Sequence, residues 1–444
     1  MKVVIAGAGE VGTYLAKMLS NEDHEIILVD DDNDKLEKIA NQVDLLTITG
    51  AANSIIDLKE AGISKADLFI AVTPYESRNI LACILAKDLG AKKTLARINN
   101  AEYLKKEHKP KFQAMGVDEL IYPETLAAKE IIASVKQPGA RVMHEFSGGK
   151  LILFGIKIRE NADIVNKSLC DISNISSVFR AVAITRGDTT IIPKGRDVIL
   201  NEDVVYFVTT SNGMLELYEK AGKKFFDVKN IMFLGGSRIA QKTIEKLNDQ
   251  FNIKVIEQDK ERCQQIADRF SNILVINGDG RNLDLLKEEG IEKMDAFVAV
   301  TGNSETNILT CQLAKKMGVK RTVAEIENID FISLAEQVGI GSVINKKYIA
   351  ASFIYRFSMH AEISNVRCLT ATEAEVVEVI ANEGSKATRK KVKDLDFPDN
   401  AKIGGIVRGE NGFIVTGETQ ILTGDKVVIF ALPKAIKKID KFFK

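Results

Sequence analysis

The chain carries the same stretch of sequence twice, and this duplication constrains its fold more than any other feature. The segment Val3–Gly12 recurs as Ile231–Ala240, with an offset of 228 residues. The segment Asp67–Thr73 returns at the same offset as Asp295–Thr301. A repeated sequence predicts two structural units with the same fold. Where the copies differ, the altered residues indicate two related sites with divided roles.

The composition is that of an ordinary globular protein with several domains. A chain of 444 residues exceeds what one hydrophobic core usually supports. Lys+Arg and Asp+Glu each number 61, so the formal net charge is zero. Nucleic-acid-binding proteins usually carry a basic patch, and this charge balance argues against one. We therefore expect no nucleic acid among the partners.

The five cysteines show no metal or disulfide pattern. They stand at positions 83, 170, 263, 311 and 368, without C-x-x-C spacing and without a cluster of histidines. Metal sites and disulfide frameworks are recognised by such spacings. We expect buried thiols that behave as small apolar side chains, and no metal site.

No segment of the sequence predicts a membrane span or a signal peptide. A transmembrane helix needs about 20 predominantly apolar residues, and no run of 18 occurs. Met1 and Lys2 lead directly into a predicted strand, which leaves no room for a signal peptide. We expect a cytoplasmic protein, which would serve a membrane process only as a peripheral subunit.

Short apolar strands alternate with amphipathic helices in the first part of the chain. Strands are predicted at Val3–Ala6, Ile26–Val29, Leu45–Thr49, Leu68–Val72, Thr94–Ile98 and Glu119–Tyr122. Apolar strands separated by helices are typical of βαβ crossovers and of a parallel sheet covered on both faces. The sequence therefore predicts an α/β fold with a Rossmann-type, doubly wound sheet. A helix over Glu124–Val135 follows it and ends at Pro138-Gly139.

From about residue 140 the pattern changes to that of a small α+β module. Its predicted elements are strands at Leu151–Ile158, Arg180–Thr185 and Val204–Thr209, a Gly187-Asp188 hairpin turn and a helix over Met214–Ala221. The module returns from about Val366, with its own turn at Gly409–Gly412. We thus predict two tandem units, each a Rossmann-type domain followed by an α+β domain: residues 1–123, 140–224, 228–346 and 364–444.

A glycine motif and an acidic residue predict a nucleotide site in the first unit. Gly7-Ala8-Gly9-Glu10-Val11-Gly12 has the G-x-G-x-x-G spacing between a strand and a helix. The first glycine permits a tight turn, the second lets backbone approach a pyrophosphate, and the third allows close helix–strand packing. The amino terminus of the helix directs unpaired N–H groups at the phosphates. Asp30 ends the second strand 18 residues after Gly12, where a carboxylate accepts hydrogen bonds from a ribose diol.

The charges around this motif narrow the choice of ligand. Asp30 and the two aspartates after it would repel a 2′-phosphate, so NAD(H) is favoured over NADP(H). This argument does not separate NAD(H) from ADP or ATP. Thr73 and Pro74 follow the fourth strand, at the edge where ligands cross a parallel sheet. Arg97, near the end of the fifth strand, is placed to contact a phosphate or to form a surface ion pair, and both alternatives stay open.

The second copy of the motif is altered. Gly235-Gly236-Ser237 keeps the turn glycine but places a Cβ where backbone must approach a pyrophosphate. Glu257 takes the acidic position, and Thr301-Gly302 follow the fourth strand. Glu325 replaces the arginine of the first copy and inverts the local charge. A weaker or different nucleotide site and a purely structural domain are equally compatible with these changes.

The chain lacks an evident set of acid–base groups to accompany the nucleotide motif. A dehydrogenase needs a substrate pocket with a general acid or base over the nicotinamide. The four histidines, at positions 24, 108, 144 and 360, stand singly and outside any evident group with a carboxylate. Nucleotide binding without chemistry indicates a sensor and not an enzyme. An NAD-dependent oxidoreductase is the main alternative.

In these features the chain resembles the TrkA family, the nucleotide-binding regulatory subunits of bacterial and archaeal potassium uptake systems. The resemblance covers essentially the whole length, as two tandem RCK (KTN) units, each with a Rossmann domain and a TrkA-C domain. It rests on Gly7–Gly12, Asp30, Ala71-Val72-Thr73, Asn79, Ala96-Arg97-Ile98 and the Arg-Gly turns at 186–187 and 408–409.

The resemblance implies regulation of a TrkH-type membrane channel by NAD(H), ATP or ADP, through assembly of Rossmann domains beneath the pore. The first site would comprise Gly7, Ala8, Gly9, Glu10, Val11, Asp30, Thr73, Pro74 and Arg97. The second would comprise Gly235, Gly236, Ser237, Arg238, Ile239, Glu257, Thr301, Gly302 and Glu325. A regulator of another cation transporter is a further alternative, because the TrkA-C fold does not identify its partner.

We also expect the chain to self-associate, with four chains in a symmetric assembly at the inner face of the cell membrane. As the resemblance implies, units of this type pair through crossover segments, here Glu124–Val135 and Lys347–His360. Four apolar residues of the second segment would offer surface to a neighbouring chain, with burial within the same chain as the alternative: Ile349, Phe353, Phe357 and Met359.

Overall fold

The computed structural model describes residues 1–20, 24–136, 142–187, 189–222, 226–358, 363–368 and 374–443. The chain divides into two compact units, Met1–Leu126 with Lys346–His360, and Ala127–Asn345 with Ala361–Lys444. Three predicted features lie partly or wholly outside the described residues. They are the break at Pro138-Gly139, the hairpin turn at Asp188, and the end of the second crossover segment at Met359 and His360.

The first unit is built on a six-stranded parallel sheet. Its strands are β1 (Lys2–Ala6), β2 (Glu25–Asp30), β3 (Leu46–Thr49), β4 (Leu68–Ala71), β5 (Lys93–Arg97) and β6 (Glu119–Ile121). The helices that follow them are α1 (Glu10–Ser20), α2 (Asn33–Ala40), α3 (Ile55–Glu60), α4 (Glu76–Asp88), α5 (Lys109–Ala114) and α6 (Pro123–Lys136). The strand order is β3-β2-β1-β4-β5-β6, which confirms the predicted doubly wound fold.

The central strands of this sheet have no solvent-facing side. Val3, Val4, Ile5 and Ala6 of β1 are fully buried, because β2 and β4 flank the strand and helices cover both faces. The order of the strands reverses direction between β1 and β4. Ligands of doubly wound sheets bind in the crevice at such a switch point. The loops after β1, β2 and β4 meet there.

An antiparallel sheet follows in the second unit. Its elements are β7 (Val142–Phe146), β8 (Leu151–Lys157), α7 (Leu169–Ile175), β9 (Phe179–Arg186), β10 (Thr189–Ile191), β11 (Val204–Thr209) and α8 (Met214–Lys220). The strand order is β10-β9-β11-β8-β7. The predicted α+β module is therefore present, with two more strands than the sequence pattern indicated.

The second parallel sheet repeats the first. Its strands are β12 (Asn230–Leu234), β13 (Asn252–Glu257), β14 (Leu274–Asn277), β15 (Ala296–Ala299), β16 (Arg321–Glu325) and β17 (Ser342–Ile344). The helices are α9 (Arg238–Leu247), α10 (Lys260–Arg269), α11 (Leu283–Glu288), α12 (Ser304–Lys316), α13 (Asp330–Gln337) and α14 (Lys346–Ser358). The order β14-β13-β12-β15-β16-β17 matches the first sheet strand for strand.

The last elements repeat the small antiparallel module. They are β18 (Ile363–Cys368), β19 (Glu375–Ile380), β20 (Ala401–Arg408), β21 (Asn411–Ile414), β22 (Lys426–Ala431) and α15 (Pro433–Phe443), with the order β18-β19-β22-β20-β21. The two antiparallel sheets share one hydrophobic core within the second unit, which includes Phe146, Leu151, Leu153, Val208, Val376, Val428 and Phe430. The described helices include none that is long and apolar enough to cross a membrane.

The repeated Arg-Gly turns have a structural explanation. Arg186 forms a two-pronged ion pair with Asp203, through Nε–Oδ1 and Nη2–Oδ2 distances of 2.9 and 2.8 Å. Arg408 forms the same pair with Asp425, at 2.8 and 2.7 Å. Both aspartates are buried, so the arginine compensates a charge that would otherwise be costly to bury. The turn sequence is repeated because it places this arginine.

Each crossover helix packs against the parallel sheet domain of the other half. Helix α14, although it follows the second sheet, lies against α1 in the first unit. The rings of Tyr14 and Tyr348 meet there edge to face, with centroids 4.3 Å apart. In the second unit, Arg321 of β16 donates to Ser134 O and Ser134 Oγ of α6 at 3.0 and 2.5 Å. Both crossover helices thus pack within the chain, while Ile349, Phe353 and Phe357 are only half-buried, so the contact of these residues with a neighbouring chain stays a prediction.

Candidate nucleotide-binding sites

The glycine motif forms the tight turn between β1 and α1. Gly7 has a φ of 114°, a conformation that side-chain-bearing residues rarely adopt. At Gly12 a Cβ would lie 1.8 Å from Gly7 O, so a side chain there would force the helix away from the strand. A Cβ at Gly9 would have no atom within 4 Å. Two glycines thus serve the turn and the packing, and the third faces open space that suits an approaching phosphate.

Asp30 lies at the rim of this turn, at the end of β2. Its Oδ2 accepts a hydrogen bond from Ala8 N at 2.6 Å, and its Oδ1 accepts one from Asp32 N at 3.0 Å. Lys35 Nζ lies 3.8 Å from Oδ1. The carboxylate is therefore next to the glycine motif, with its orientation set by backbone groups and its charge partly balanced. This position is compatible with the predicted contact to a ribose.

A buried asparagine ties the other two loops of the site together. Asn79 Oδ1 accepts from Thr73 N at 3.0 Å and from Thr73 Oγ1 at 2.6 Å. Its Nδ2 donates to Arg97 O at 2.9 Å. The equivalent residue in the second copy is Asn307. The sequence analysis used Asn79 for the family resemblance and gave it no role in the site. A polar residue repeated at a fixed offset after a strand was the available signal.

The structure places Thr73 and Pro74 after β4 and Arg97 at the end of β5, on the edge predicted for them. Thr73 is buried and Pro74 is exposed. Among the described residues, the buried Nε of Arg97 has no hydrogen-bond partner. An orphaned guanidinium N–H at the carboxyl edge of the sheet fits an anionic ligand, which favours the phosphate alternative for Arg97.

The second copy reproduces the acidic contact of the first. Gly235 has a φ of 95° and keeps the tight turn. Glu257 Oε2 accepts from Gly236 N at 2.6 Å, and its Oε1 accepts from Asp259 N at 2.9 Å. Arg262 Nη1 lies 3.4 Å from Glu257 Oε2. Glu257 thus holds the second turn as Asp30 holds the first.

Ser237 changes the start of the second helix more than its size alone suggests. Its Oγ accepts a hydrogen bond from Ala240 N at 3.4 Å and caps α9. Capping satisfies one of the amide donors that a phosphate would otherwise bind. Sequence reasoning predicted crowding of a phosphate by the Ser237 Cβ and did not include the capping. A serine directly before a helix is the signal that could have revealed it.

A cavity of about 360 Å³ lies at the carboxyl edge of the second parallel sheet. Of the nine residues predicted for this site, five line it: Gly235, Ser237, Glu257, Thr301 and Gly302. The other four do not: Gly236, Arg238, Ile239 and Glu325. The side chain of Glu325 is buried in the domain. Two residues that the sequence did not indicate, Arg262 and Arg281, also line the cavity.

The second copy repeats the hydrogen bonds by which Asn79 joins two loops in the first copy, and we call this arrangement the asparagine brace. Asn307 Oδ1 accepts from Thr301 N at 3.1 Å and from Thr301 Oγ1 at 2.7 Å, and its Nδ2 donates to Glu325 O at 2.8 Å. The framework of the second site is therefore intact, while its phosphate-facing groups are altered.

The cysteine thiols of the described residues differ in their exposure. Among the described residues, no group of three or more His, Cys, Asp or Glu side chains could hold a metal ion. Cys83 and Cys311 are fully buried, and burial raises the pKa of the Cys311 thiol to about 12. Cys170 is exposed, so the prediction of a buried thiol is wrong there. The side chain of Cys368 lies outside the described residues.

His108 departs from the prediction that the histidines stand away from carboxylates. His108 Nε2 lies 3.7 Å from Glu107 Oε1 and 3.8 Å from Glu102 Oε1. Both glutamates are exposed, and all three residues lie in the segment between β5 and β6 and not in the loop after β1. His360 lies outside the described residues.

Comparison with known proteins gives matches over the whole chain. The model of the TrkA-N domain matches residues 3–123 and 231–346, and that of the TrkA-C domain matches residues 153–222 and 376–444. Trk system potassium uptake protein TrkA of Halomonas elongata is 31% identical, with 100% of this chain and 98% of that protein covered. TrkA homolog 2 of Methanosarcina mazei is 33% identical, with 100% of both chains covered.

Among solved structures, the GsuK channel bound to NAD is similar in fold. The TM-score is 0.61 at 14% sequence identity, and the match covers 100% of this chain and 78% of that chain. At this identity the likeness concerns the fold alone.

Proposed function

The chain belongs to the TrkA family of potassium uptake proteins, and we propose that it is a regulatory subunit that senses adenine nucleotides. It binds NAD(H) at the first Rossmann domain, with ATP or ADP as competing ligands. Nucleotide occupancy controls a TrkH-type channel subunit in the membrane. The chain itself catalyses no reaction.

The single observation that carries nucleotide binding is the arrangement of Asp30 against the glycine turn. The Asp30 carboxylate lies 2.6 Å from Ala8 N, beside the open space at Gly9. Arg97 contributes an unpartnered buried N–H at the same edge of the sheet. A ribose acceptor, open backbone and a cation in one crevice fit the three parts of an adenine nucleotide. The GsuK structure that shares this fold is described as bound to NAD, which supports the choice of ligand.

The second site takes nucleotide more weakly or takes a different one. Its framework is intact, but Ser237 caps α9 and covers part of the phosphate approach. Glu325 is buried and offers no positive charge where the first copy has Arg97. The cavity of about 360 Å³ is within the range of small-molecule sites, which argues against a purely structural domain.

Exposed apolar side chains at matching positions support self-association. Leu81 of α4 and Leu309 of α12 are 44% and 69% exposed. They stand at equivalent places in the two copies, which argues against chance exposure. A single exposed leucine is ordinary, so it is the repetition that makes these two positions candidates for contact with a neighbouring chain. We propose a symmetric assembly of four chains at the cytoplasmic face of the membrane, where nucleotide occupancy alters the spacing of points that contact the channel.

The test begins with the protein purified from its native membranes. We expect mass spectrometry to identify a retained adenine nucleotide and a co-purifying cation channel of the TrkH type. Light scattering should give a mass of several chains, which changes between NADH and ATP. A monomer under every condition, without a cation transporter, would refute the regulatory proposal. A different cation transporter in the pull-down would support the alternative partner.

The enzyme alternative is tested by turnover. The antiparallel modules that follow the parallel sheets are small and leave little room for a substrate domain. When pure protein is incubated with NAD and candidate substrates, no more than one NAD per protein chain should be converted to NADH. Substrate-dependent conversion beyond that stoichiometry would establish an oxidoreductase.

A further inference from the structure

The crossover helix α14 brings a lysine to the glycine turn of the first Rossmann domain. Lys347 Nζ lies 2.6 Å from Glu10 Oε1, and both residues belong to the first unit. The Lys347 side chain is 10% exposed, whereas that of Glu10 is 69% exposed. The cation is therefore buried at the first turn of α1, while its carboxylate partner reaches it from solvent.

Glu10 occupies an unusual position for a phosphate site. It stands in the G-x-G-x-x-G motif, in the first turn of α1, where amide groups would face a pyrophosphate. A carboxylate there stabilises the helix terminus but repels phosphate at short range. The second copy has Arg238 at the equivalent position, so the acidic residue is not a requirement of the turn. In this structure Lys347 offsets the charge of Glu10 by pairing with it.

The lysine is held in place by its neighbours. Tyr348 stacks edge to face on Tyr14 of α1, with ring centroids 4.3 Å apart. Ala350, Ala351 and Ile354 of α14 are fully buried. This packing fixes the start of α14 beside the glycine turn. A buried ammonium in a fixed position loses little entropy when it binds an anion, which favours tight contact.

We infer that Lys347 is a phosphate-binding residue of the first nucleotide site, contributed by the second half of the chain. This inference rests on the proposed nucleotide binding. The pair with Glu10 is largely solvent-exposed on the carboxylate side and is therefore weak. The phosphates of a bound nucleotide carry more negative charge and take over the ammonium. Nucleotides with more phosphates gain more from Lys347, which separates ATP and ADP from AMP.

The contact also connects the two halves. Helix α14 links the second parallel sheet to the last antiparallel module. A phosphate that binds Lys347 in place of Glu10 replaces a contact between the start of α14 and α1. Binding at the first site is thereby coupled to the second half through the start of α14.

Calorimetry on the full-length protein tests the assignment, with adenosine, AMP, ADP, ATP and NADH as ligands. The Asp30→Ala variant identifies the heat that belongs to the first site. We expect Lys347→Met to weaken ATP and ADP binding about tenfold or more, the range for one charge-assisted hydrogen bond. Its effect on AMP should be smaller, and adenosine should bind as before. Glu10→Gln should strengthen ATP binding, and Lys347→Arg should retain most of it.

Lys2→Met is the matched control. Lys2 also pairs with a glutamate, Glu25, at 3.2 Å, but at the amino end of β1. The Lys2→Met variant should leave the affinities for adenosine, AMP, ADP, ATP and NADH unchanged. If Lys347→Met matches Lys2→Met for every ligand, the assignment is wrong while nucleotide binding stands. If Lys347→Met does not fold, the Glu10→Gln variant tests the assignment instead. The assignment is wrong if Glu10→Gln and the unaltered protein have the same ratio of ATP affinity to adenosine affinity. A wild-type protein without any Asp30-dependent heat would overturn the proposed function and this inference together.

Discussion

Asp30 Oδ2 and Ala8 N are joined by a hydrogen bond of 2.6 Å, so the carboxylate that would receive a ribose also holds the glycine turn. Glu257 and Gly236 repeat this relationship at the same distance in the second copy. A charged acceptor that satisfies a loop amide stabilises the turn whether or not a ligand is bound. The acidic residue therefore has two measurable functions, one in stability and one in binding.

Replacement of Asp30 by alanine should weaken binding of every adenine nucleotide at the first site. The loss of charge-assisted hydrogen bonds to the ribose should cost about 1.5–3 kcal/mol of binding free energy. The melting temperature should also fall, because Ala8 N loses its partner. Calorimetry and thermal melts on the full-length protein measure both effects.

Asp67→Ala is the control for this variant. Asp67 accepts a backbone hydrogen bond from Lys2 N at 2.8 Å and lies at the opposite end of β1. It should lower stability without altering nucleotide affinity. Unchanged affinity of the Asp30 variant for all adenine nucleotides would remove Asp30 from the site.

Ser237→Gly should strengthen nucleotide binding at the second site. The substitution frees Ala240 N and removes the Cβ from the phosphate approach. Glycine is a tolerated N-cap, so stability should fall by only a few tenths of a kcal/mol, about the usual cost of this replacement. Calorimetry in the Asp30→Ala background isolates the second site.

The reciprocal variant is Gly9→Ser, which should weaken binding at the first site. A Cβ at Gly9 meets no protein atom, so the fold should tolerate the serine. Equal or tighter NADH binding by the second site in the unaltered protein would show that the argument from Ser237 is wrong.

The sequence predicted the parallel sheets well because their signal is local. Buried parallel strands are continuous apolar runs, as in Val3–Ala6, and each is bounded by a helix or a turn. The position of Asp30 beside Ala8 also followed, since strand β2 is adjacent to β1 in this fold. Residues at the ends of neighbouring strands are brought together by topology alone.

The remaining features depend on contacts distant in sequence, which periodicity does not report. Nothing in the local pattern around Lys347 indicates that α14 packs on α1, more than 300 residues earlier in the chain. The burial of Glu325 was likewise not evident from its match to Arg97. The Asn79 brace required knowledge of the backbone groups it would meet, although its repetition was visible.

Asn79→Ala and Asn307→Ala form a matched pair that tests this brace. Each removes hydrogen bonds that join the loops after two neighbouring strands, and each leaves buried backbone groups unpaired. We expect each to lower the free energy of unfolding by about 2–4 kcal/mol. Only Asn79→Ala should weaken nucleotide binding at the first site, because it releases Thr73 and Arg97. Equal loss of affinity in both variants would point to global unfolding instead of a local effect.

The two antiparallel modules contain a partly buried lysine that should make stability depend on pH. Lys402 of β20 donates to Pro193 O at 2.7 Å. Burial and, to a smaller extent, the charge of Arg180 lower the pKa of its ammonium to about 7, against smaller opposite effects of Asp197 and Cys170. In the unfolded chain the group titrates near its ordinary pKa of 10.5. Between these two values the unfolded state binds the extra proton, so stability rises with pH. Below pH 7 both states are charged, and the folded state bears the full cost of burying the ammonium.

Lys402→Met keeps the length of the side chain and removes this charge. We expect the variant to be more stable than the unaltered protein at pH 6, by about 2–4 kcal/mol, with the difference shrinking toward pH 9. Thermal melts at a series of pH values measure it, and a gain of this size raises the melting temperature by several degrees. Lys194→Met is the control, because Lys194 pairs with Asp399 at the exposed surface and should show no such trend. A difference between Lys402→Met and the unaltered protein that stays constant from pH 6 to pH 9 would show that Lys402 is charged throughout.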